Sequence, residues 1–287
     1  MKRLTKTSIT VLLCTLICAF TFAACATPAG EKDWVVDWDK FQPEGGLPSL
    51  PEDGSDDEKD EEETPDNEDT LAPAVSYSYM IKSNTSSLNI RSAPNTGATI
   101  VGKMDKGDML RFEGEVNGWY KTVYKQKTAY VYAGNNYAYI VKMTQSNEKV
   151  ESVIAIGETL MGYPYVWGSQ RYHWGNGKLN SNFVQGEYDC SALMQYIYYH
   201  GAKINLDLTT RTQVLQGREV ASGDLQRGDL MFFTNSSRYN LSGVERIGHV
   251  ALYLGDNYIL HTASDFAVIE EISSTRWKYF IVAKRLV

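Results

Sequence analysis

The stretch YDCSALMQYIYYHG, residues 188–201, has the pattern of an amphipathic helix with a cysteine in its first turn. Asp189 is a favourable N-cap residue, and Gly201 supplies a stop. Between them, apolar side chains recur at helical spacing: Leu193, Met194 and Ile197. We therefore expect Cys190 to lie where the helix dipole and free backbone N–H groups favour the nucleophilic thiolate and are able to bind an oxyanion.

A thiolate in this position requires a proton acceptor, and the sequence offers four histidines. His249 and His261 are twelve positions apart and flank a turn at Gly255-Asp256-Asn257. A three-residue connection would place both imidazoles on one face of a hairpin at diagonal positions, whereas a two-residue turn would place them on opposite faces. The first arrangement would let His261 orient His249, as the third member of a catalytic triad does.

The other two histidines fit less specific roles. His200 lies near the end of the predicted helix, where it suits the helix dipole, and His173 lies in a polar loop that we expect at the surface. Zinc held by His249, His261 and Cys190 is an alternative, but these residues lack the local ligand-pair spacing of zinc motifs. We expect neither a metal ion nor a cofactor.

The chain around these residues, from 146 to 287, has the pattern of one α+β domain. A helical stretch from Glu148 to Met161 precedes the Cys190 helix. Four strand-like segments follow: Asp229 to Phe233, Gly248 to Leu254, Tyr258 to Thr262 and Ala267 to Ile272. Helices followed by an antiparallel sheet indicate an α+β fold.

Six short motifs follow one another along this domain. They are Pro164-Tyr165-Val166-Trp167-Gly168, Tyr188 to Leu193, Arg211-Thr212, Leu225 to Phe233, Gly248 to Ala251 and Leu260-His261. Residues 148–287 therefore resemble the NlpC/P60 family. Ala192 and Ser169 replace glycines of the family pattern, and the loop from Gly168 to Tyr188 is long.

The resemblance implies a papain-like fold and a cysteine peptidase without a cofactor. Its nucleophile would be Cys190, its base His249 and its orienting residue His261. The substrate would be a peptidoglycan stem peptide, cut between γ-D-glutamate and the diamino acid. An amidase, an acyltransferase or a cell-wall-binding protein without activity are the alternatives on the same scaffold.

The resemblance also implies that Tyr165, Asp189 and Ser191 hold the substrate. On this interpretation, Asp189 pairs with a free N-terminal amine of a short peptide. The helix cap is a second role for Asp189, compatible with the first, while core packing is the alternative for Tyr165.

A small all-β domain is predicted upstream, over residues 76–145, with about five short strands separated by turn signals. Its motifs resemble a bacterial SH3 domain: Leu88 to Pro94, Gly107-Asp108, Asn117 to Tyr120 and Ala129 to Val131. The resemblance implies a domain that binds cell-wall peptides or braces its catalytic neighbour. We expect a small SH3-like barrel packed against the peptidase.

Residues 1–24 have the layout of a secretory signal, with basic residues followed by an uncharged apolar run. Ala23-Ala24-Cys25 resembles a bacterial lipobox, which makes Cys25 the expected lipidation site and a membrane anchor. The alternative is cleavage near Ala26 and free secretion. Both place the protein in the cell envelope, outside the cytoplasm.

Cys190 is the only cysteine in the part of the chain that we expect to fold, because Cys14, Cys18 and Cys25 belong to the signal and its processing site. No internal disulfide is therefore expected. An unpaired thiol in an exported domain is exposed to oxidation, which indicates a reactive role. The alternative is a small buried apolar side chain.

Residues 25–75 have the composition of a disordered acidic tether. From Glu52 to Asp69 there are twelve acidic residues and one lysine, a net charge of −11. Since the whole chain carries −7, the remainder carries +4. Such a segment cannot bury enough apolar surface to offset its ordering entropy. The acidity of the protein thus resides in a solvated spacer, and no nucleic-acid partner is expected.

Overall fold

The computed structural model describes residues 75–262 and 265–287. The predicted signal at residues 1–24, the predicted lipidation site Cys25 and the predicted tether, apart from Val75, lie outside the described residues. Within the described ranges, no helix is long and apolar enough to cross a membrane.

The N-terminal part contains eight strands rather than about five. They are β1 Tyr77–Ser83, β2 Leu88–Arg91, β3 Ile100–Met104, β4 Met109–Arg111, β5 Gly114–Val116, β6 Trp119–Tyr124, β7 Lys127–Tyr132 and β8 Ala138–Thr144. Five of them form one sheet in the order β3-β2-β7-β6-β5. The other three pair in the order β8-β1-β4. Short strands with little periodic pattern of their own explain the lower count from sequence.

The C-terminal part has the expected α+β composition. Its helices are α1 Glu148–Thr159, α2 Cys190–Ala202, α3 Thr210–Gln213 and α4 Ser274–Tyr279. Its strands are β9 Arg218–Val220, β10 Leu230–Phe233, β11 His249–Gly255, β12 Tyr258–Thr262, β13 Ala267–Glu271 and β14 Phe280–Arg285. They form an antiparallel sheet in the order β13-β12-β11-β10-β14-β9, which includes all four predicted strands.

The two parts share a sheet. Strand β4 pairs with β13 at Met109 and Ile269, so the sheet continues through β4 and β1 to β8 and has nine strands. Arg227 spans the junction, because its guanidinium donates to the Ser78 hydroxyl in β1 at 3.4 Å and also to the Glu151 carboxylate in α1 at 2.7 and 2.9 Å. The N-terminal part is therefore bound to the C-terminal part through backbone and side chains.

The turn between β6 and β7 caps the end of helix α1. Its central residues, Lys125 and Gln126, have positive φ of 51° and 57°, a left-handed conformation unusual for these residue types. Their N–H groups donate to the carbonyls of Met161 at 3.0 Å and Thr159 at 2.8 Å. The strained turn thus satisfies carbonyls that the end of a helix leaves free.

Gly201 has a different role from the predicted helix stop. Helix α2 continues to Ala202 and is terminated by Lys203, whose φ is 57°. A Cβ atom at Gly201 would lie 2.4 Å from Cα of Val153, in helix α1. Gly201 therefore permits the close approach of α1 and α2, and the sequence-based interpretation of it was wrong.

Candidate active site

Cys190 is the first residue of α2, as predicted. The Asp189 side chain accepts a hydrogen bond from the N–H of Ala192 at 2.9 Å and so caps the helix. Cys190 itself is 7% exposed. Backbone N–H groups of Ser191 and Val250 contact the thiol, and Val250 directly follows His249. The helix and strand β11 therefore meet at the sulfur atom.

The thiol of Cys190 is held in its neutral form. Burial raises its pKa to about 12, and the negative charge of Asp189 adds to the rise. The N–H groups of Val250 and Ser191 and the charge of Arg171 oppose the rise without cancelling it. The sequence favoured a thiolate because the helix dipole stabilises a negative charge at this position. Burial of the sulfur raises the thiol pKa by more than the dipole lowers it.

His249 and His261 face each other on neighbouring strands, with Nε2 of His249 3.0 Å from Nδ1 of His261. The connection differs from both sequence-based alternatives. Asp256 and Asn257 form a two-residue turn with positive φ, and a bulge at Leu254 shifts the register by one residue. The bulge restores the parity that a two-residue turn alone would lose, so both imidazoles lie on one face of the sheet.

Two residues that the sequence analysis missed extend this pair. Nε2 of His261 lies 3.0 Å from Oε1 of Glu270, and Arg276 donates to the same oxygen at 2.7 Å. Glu270 is in β13 and pairs with Ile259, two residues before His261, which places it diagonally across from His261. Residues from three consecutive strands and α4 thus form one hydrogen-bonded series.

This series fixes the tautomers of both imidazoles. The Glu270 carboxylate only accepts, so Nε2 of His261 carries the proton and donates it. Nδ1 of His261 is then an acceptor for Nε2–H of His249. Nδ1 of His249 is left as the unprotonated nitrogen. His249 is therefore available as a base through Nδ1.

The pKa values in the series follow from burial and charge. Burial lowers the pKa of His249 well below 6.5, and the charges of His261 and Arg276 lower it further. Burial also lowers the pKa of His261, although Glu270 opposes this. Burial alone would raise the pKa of Glu270, but hydrogen bonds and charges from His261 and Arg276 hold it at about 2. Above about pH 6.5, Glu270 is thus ionised and both imidazoles are predominantly neutral.

Asp189 and Ser191 lie beside Cys190 and are bound by Arg171 from the long loop. Nη2 of Arg171 donates to Oδ2 of Asp189 at 2.9 Å and to Oγ of Ser191 at 3.0 Å. The Ser191 hydroxyl donates to Oδ1 of Asp189 at 3.0 Å. Arg171 also donates to the carbonyls of Ser169 and Leu208. No sequence motif singled out Arg171.

Tyr165 is half-buried on the segment next to this cluster. Its N–H donates to the carbonyl of Asp265 at 3.0 Å, and it pairs with Tyr188 in a short parallel bridge. Burial raises the pKa of Tyr165 to about 12, and the neighbouring Cys190 and Asp189 groups add to this effect. Tyr165, Cys190 and Asp189 are therefore close enough to influence one another.

The remaining histidines are not part of this cluster. His173, expected at the surface, is fully buried, and its Nδ1 accepts from the N–H of Gly175 at 3.0 Å. His200 packs among aromatic rings, including those of Tyr172 and Tyr196, and burial lowers its pKa to about 4. In the described ranges, no group of three or more His, Cys, Asp or Glu side chains is arranged to hold a metal ion.

The family comparison agrees with this geometry, since residues 162–286 match the model of the NlpC/P60 family and residues 86–135 match the bacterial SH3 domain. The chain contains an NlpC/P60 domain. Cys190, His249, His261 and Glu270 all lie within the matched segment, so this domain alone contains the hydrogen-bonded series and the thiol.

Characterised relatives resemble the NlpC/P60 domain at moderate identity. The peptidoglycan DL-endopeptidase CwlO of Bacillus licheniformis is 28% identical over 50% of this chain and 29% of its own length. The gamma-D-glutamyl-L-lysine dipeptidyl-peptidase of Bacillus subtilis is 30% identical over 48% of this chain and 40% of its own length. The chain thus spans less than half the length of these two relatives.

Among solved structures, the crystal structure of an NlpC/P60 family protein from Bacillus cereus aligns with 72% of this chain and 63% of its own. Its sequence identity is 19% and the TM-score is 0.38.

Proposed function

We propose that the protein is a cysteine peptidase that hydrolyses peptidoglycan stem peptides. The observation that carries the proposal is the series His249–His261–Glu270, which leaves Nδ1 of His249 unprotonated and able to act as a base. The next residue along the same strand, Val250, contacts the Cys190 thiol through its N–H group. A nucleophile, a base and an orienting group are the parts that acyl transfer through cysteine requires.

In the proposed mechanism, Nδ1 of His249 takes the thiol proton while the sulfur of Cys190 attacks the amide carbonyl. The N–H groups of Ser191 and Val250 stabilise the negative charge that develops on the reacting atoms. The His249 imidazolium donates its proton to the departing amine, which leaves an acyl thioester. Water, activated by His249, hydrolyses the thioester and regenerates the thiol.

The substrate class is supported by the names of the relatives. One is a peptidoglycan DL-endopeptidase and another a gamma-D-glutamyl-L-lysine dipeptidyl-peptidase. We propose cleavage of the bond between γ-D-glutamate and the diamino acid, with Tyr165, Asp189 and Ser191 bordering the substrate. Their position beside Cys190 supports this assignment.

The proposed location is extracytoplasmic, where peptidoglycan lies. Export would use the signal at residues 1–24, and lipidation at Cys25 would tether the protein to the membrane. The SH3-like domain would brace the catalytic domain, and the shared sheet through Met109 and Ile269 supports this role. Binding of wall peptides by the SH3-like domain is compatible with bracing.

Mass spectrometry of defined muropeptides incubated with the full chain tests the proposal. An endopeptidase of this specificity yields a fragment ending in γ-D-glutamate and a second fragment with a free amine on the diamino acid. Release of whole stem peptides from the glycan would indicate an amidase, and transfer to an added amine an acyltransferase. Binding of muropeptides without any product would indicate a wall-binding protein.

A further inference from the structure

Arg171, Asp189 and Ser191 form a cluster of hydrogen-bonded polar side chains next to Cys190. The side chain of Arg171 is 15% exposed and that of Asp189 is 8% exposed. Oδ2 of Asp189 accepts from Arg171, while Oδ1 accepts from the Ser191 hydroxyl and from the N–H of Ala192. Both carboxylate oxygens therefore have partners within the protein, and the carboxylate is already paired with a cation.

A free N-terminal ammonium would have to compete with this ion pair. Displacing Arg171 would strand a buried guanidinium, which is strongly unfavourable. Binding beside the intact pair would bring a second positive charge close to the guanidinium of Arg171. The arrangement therefore disfavours a charged amine at the position where the family resemblance expects one.

We propose that Arg171 makes this domain selective for stem peptides whose N-terminal nitrogen is acylated, as in stems still attached to glycan, over peptides with a free amine. This inference rests on the proposed function. Guanidinium has five N–H donors, and four of them are assigned to Ser169, Asp189, Ser191 and Leu208. The fifth, on Nη1, has no acceptor among the described residues, and we assign it to a carbonyl oxygen such as that of the acyl group.

The neighbouring groups do not change charge at moderate pH. The pKa of Tyr165 is about 12, and the pKa values of His249 and His261 lie below 6.5. A peptide α-amine titrates at about 7.7 to 8.0. Between pH 6.5 and 9.0, the amine of the ligand is therefore the group whose charge changes.

The test uses the full chain carrying Cys190→Ala, so that binding is measured without turnover. Two stem peptides are compared by calorimetry, identical except that one has a free and one an acetylated N-terminus. We expect the acetylated peptide to bind at least about tenfold more tightly at pH 6.5, and the free-amine peptide to gain affinity when its amine loses the proton at pH 9.0. Equal or tighter binding of the free amine at pH 6.5, or a loss of its affinity at pH 9.0, would overturn the proposal.

Variants locate the effect at Arg171. Arg171→Met in the same background should shift the preference by about tenfold towards the free amine, because the Asp189 charge becomes available to it. Adding Asp189→Asn should cancel that gain, while Arg218→Met, at an exposed arginine in β9, should leave the preference unchanged. A preference that Arg171→Met does not move would overturn the assignment.

Hydrolysis by the wild-type chain is scored separately from this binding test. Binding with the expected preference but no cleavage of either peptide would contradict the proposed function and leave the preference established. Cleavage with a preference for the free amine would contradict only the role of Arg171.

Discussion

Two arginine–carboxylate pairs border the proposed catalytic residues, and their carboxylates have different roles. Arg171 and Asp189 are 2.9 Å apart, with side chains only 15% and 8% exposed. Arg276 and Glu270 are 2.7 Å apart and more open, at 26% and 30%. Burial raises the pKa of the Cys190 thiol and Asp189 adds to that rise, whereas Glu270 accepts a hydrogen bond from His261, which in turn contacts the proposed base His249.

The difference shows that the partners of a carboxylate decide its role. The Asp189 carboxylate accepts hydrogen bonds from the helix N-terminus, from Ser191 and from Arg171, so it stabilises the structure next to the thiol. One oxygen of Glu270 accepts hydrogen bonds from both Arg276 and His261, and its negative charge stabilises positive charge on the His261 imidazole. We therefore expect substitution of Glu270 to change the rate of hydrolysis. Substitution of Asp189 should change the protonation state of the Cys190 thiol and the stability of the first turn of α2.

The largest loss of hydrolysis should follow substitution of Cys190, the proposed nucleophile. Cys190→Ala should reduce hydrolysis of muropeptides by about 10⁴-fold or more, because no other thiol lies in the described ranges. The side chain is small, so the thermal unfolding midpoint should change little. Residual turnover within tenfold of the wild type would contradict the assignment of Cys190.

The base and its orienting neighbour should differ in importance. His249→Ala should cost nearly as much as loss of the nucleophile, because the proton acceptor is removed. His261→Asn should cost about 10- to 100-fold, since an amide is still able to hydrogen-bond Nε2 of His249. A more harmful effect of His261→Asn would reverse the two roles.

Glu270→Gln should have the smallest of these effects, about tenfold on kcat with an unchanged KM. The substitution keeps the shape and removes the charge that raises the pKa of His261, so positive charge on the imidazoles becomes less stable. Glu271→Gln, at the neighbouring exposed carboxylate, is the matched control and should leave the rate unchanged. Equal rates for both variants would remove Glu270 from the catalytic series.

Local patterns predicted much of this molecule. The cap at Asp189 and the helical spacing after it placed Cys190 at the start of a helix, and the alternating segments gave the strands that carry His249 and His261. These signals lie within about ten residues of chain, where propensity and periodicity act directly.

The missed features depend on tertiary contacts. Glu270 joins the series through the register of β12 and β13, and Arg171 reaches Asp189 from a loop with no regular pattern. Gly201 is explained by the backbone of another helix, not by its own. The thiol was expected as a thiolate because the helix dipole is visible in the sequence, while the burial that outweighs it is not.

The pH dependence of Cys190 alkylation tests most directly whether the site rests as a neutral thiol beside a neutral imidazole. Iodoacetamide labelling of wild-type protein would be followed on the Cys190 peptide by mass spectrometry. Because burial and Asp189 raise the thiol pKa to about 12, the proton is retained as pH rises through neutrality. The account predicts a rate that keeps rising through pH 9, and a faster rate for Asp189→Asn at each pH. A rate already constant between pH 6 and pH 8 would show a resting thiolate and contradict the account.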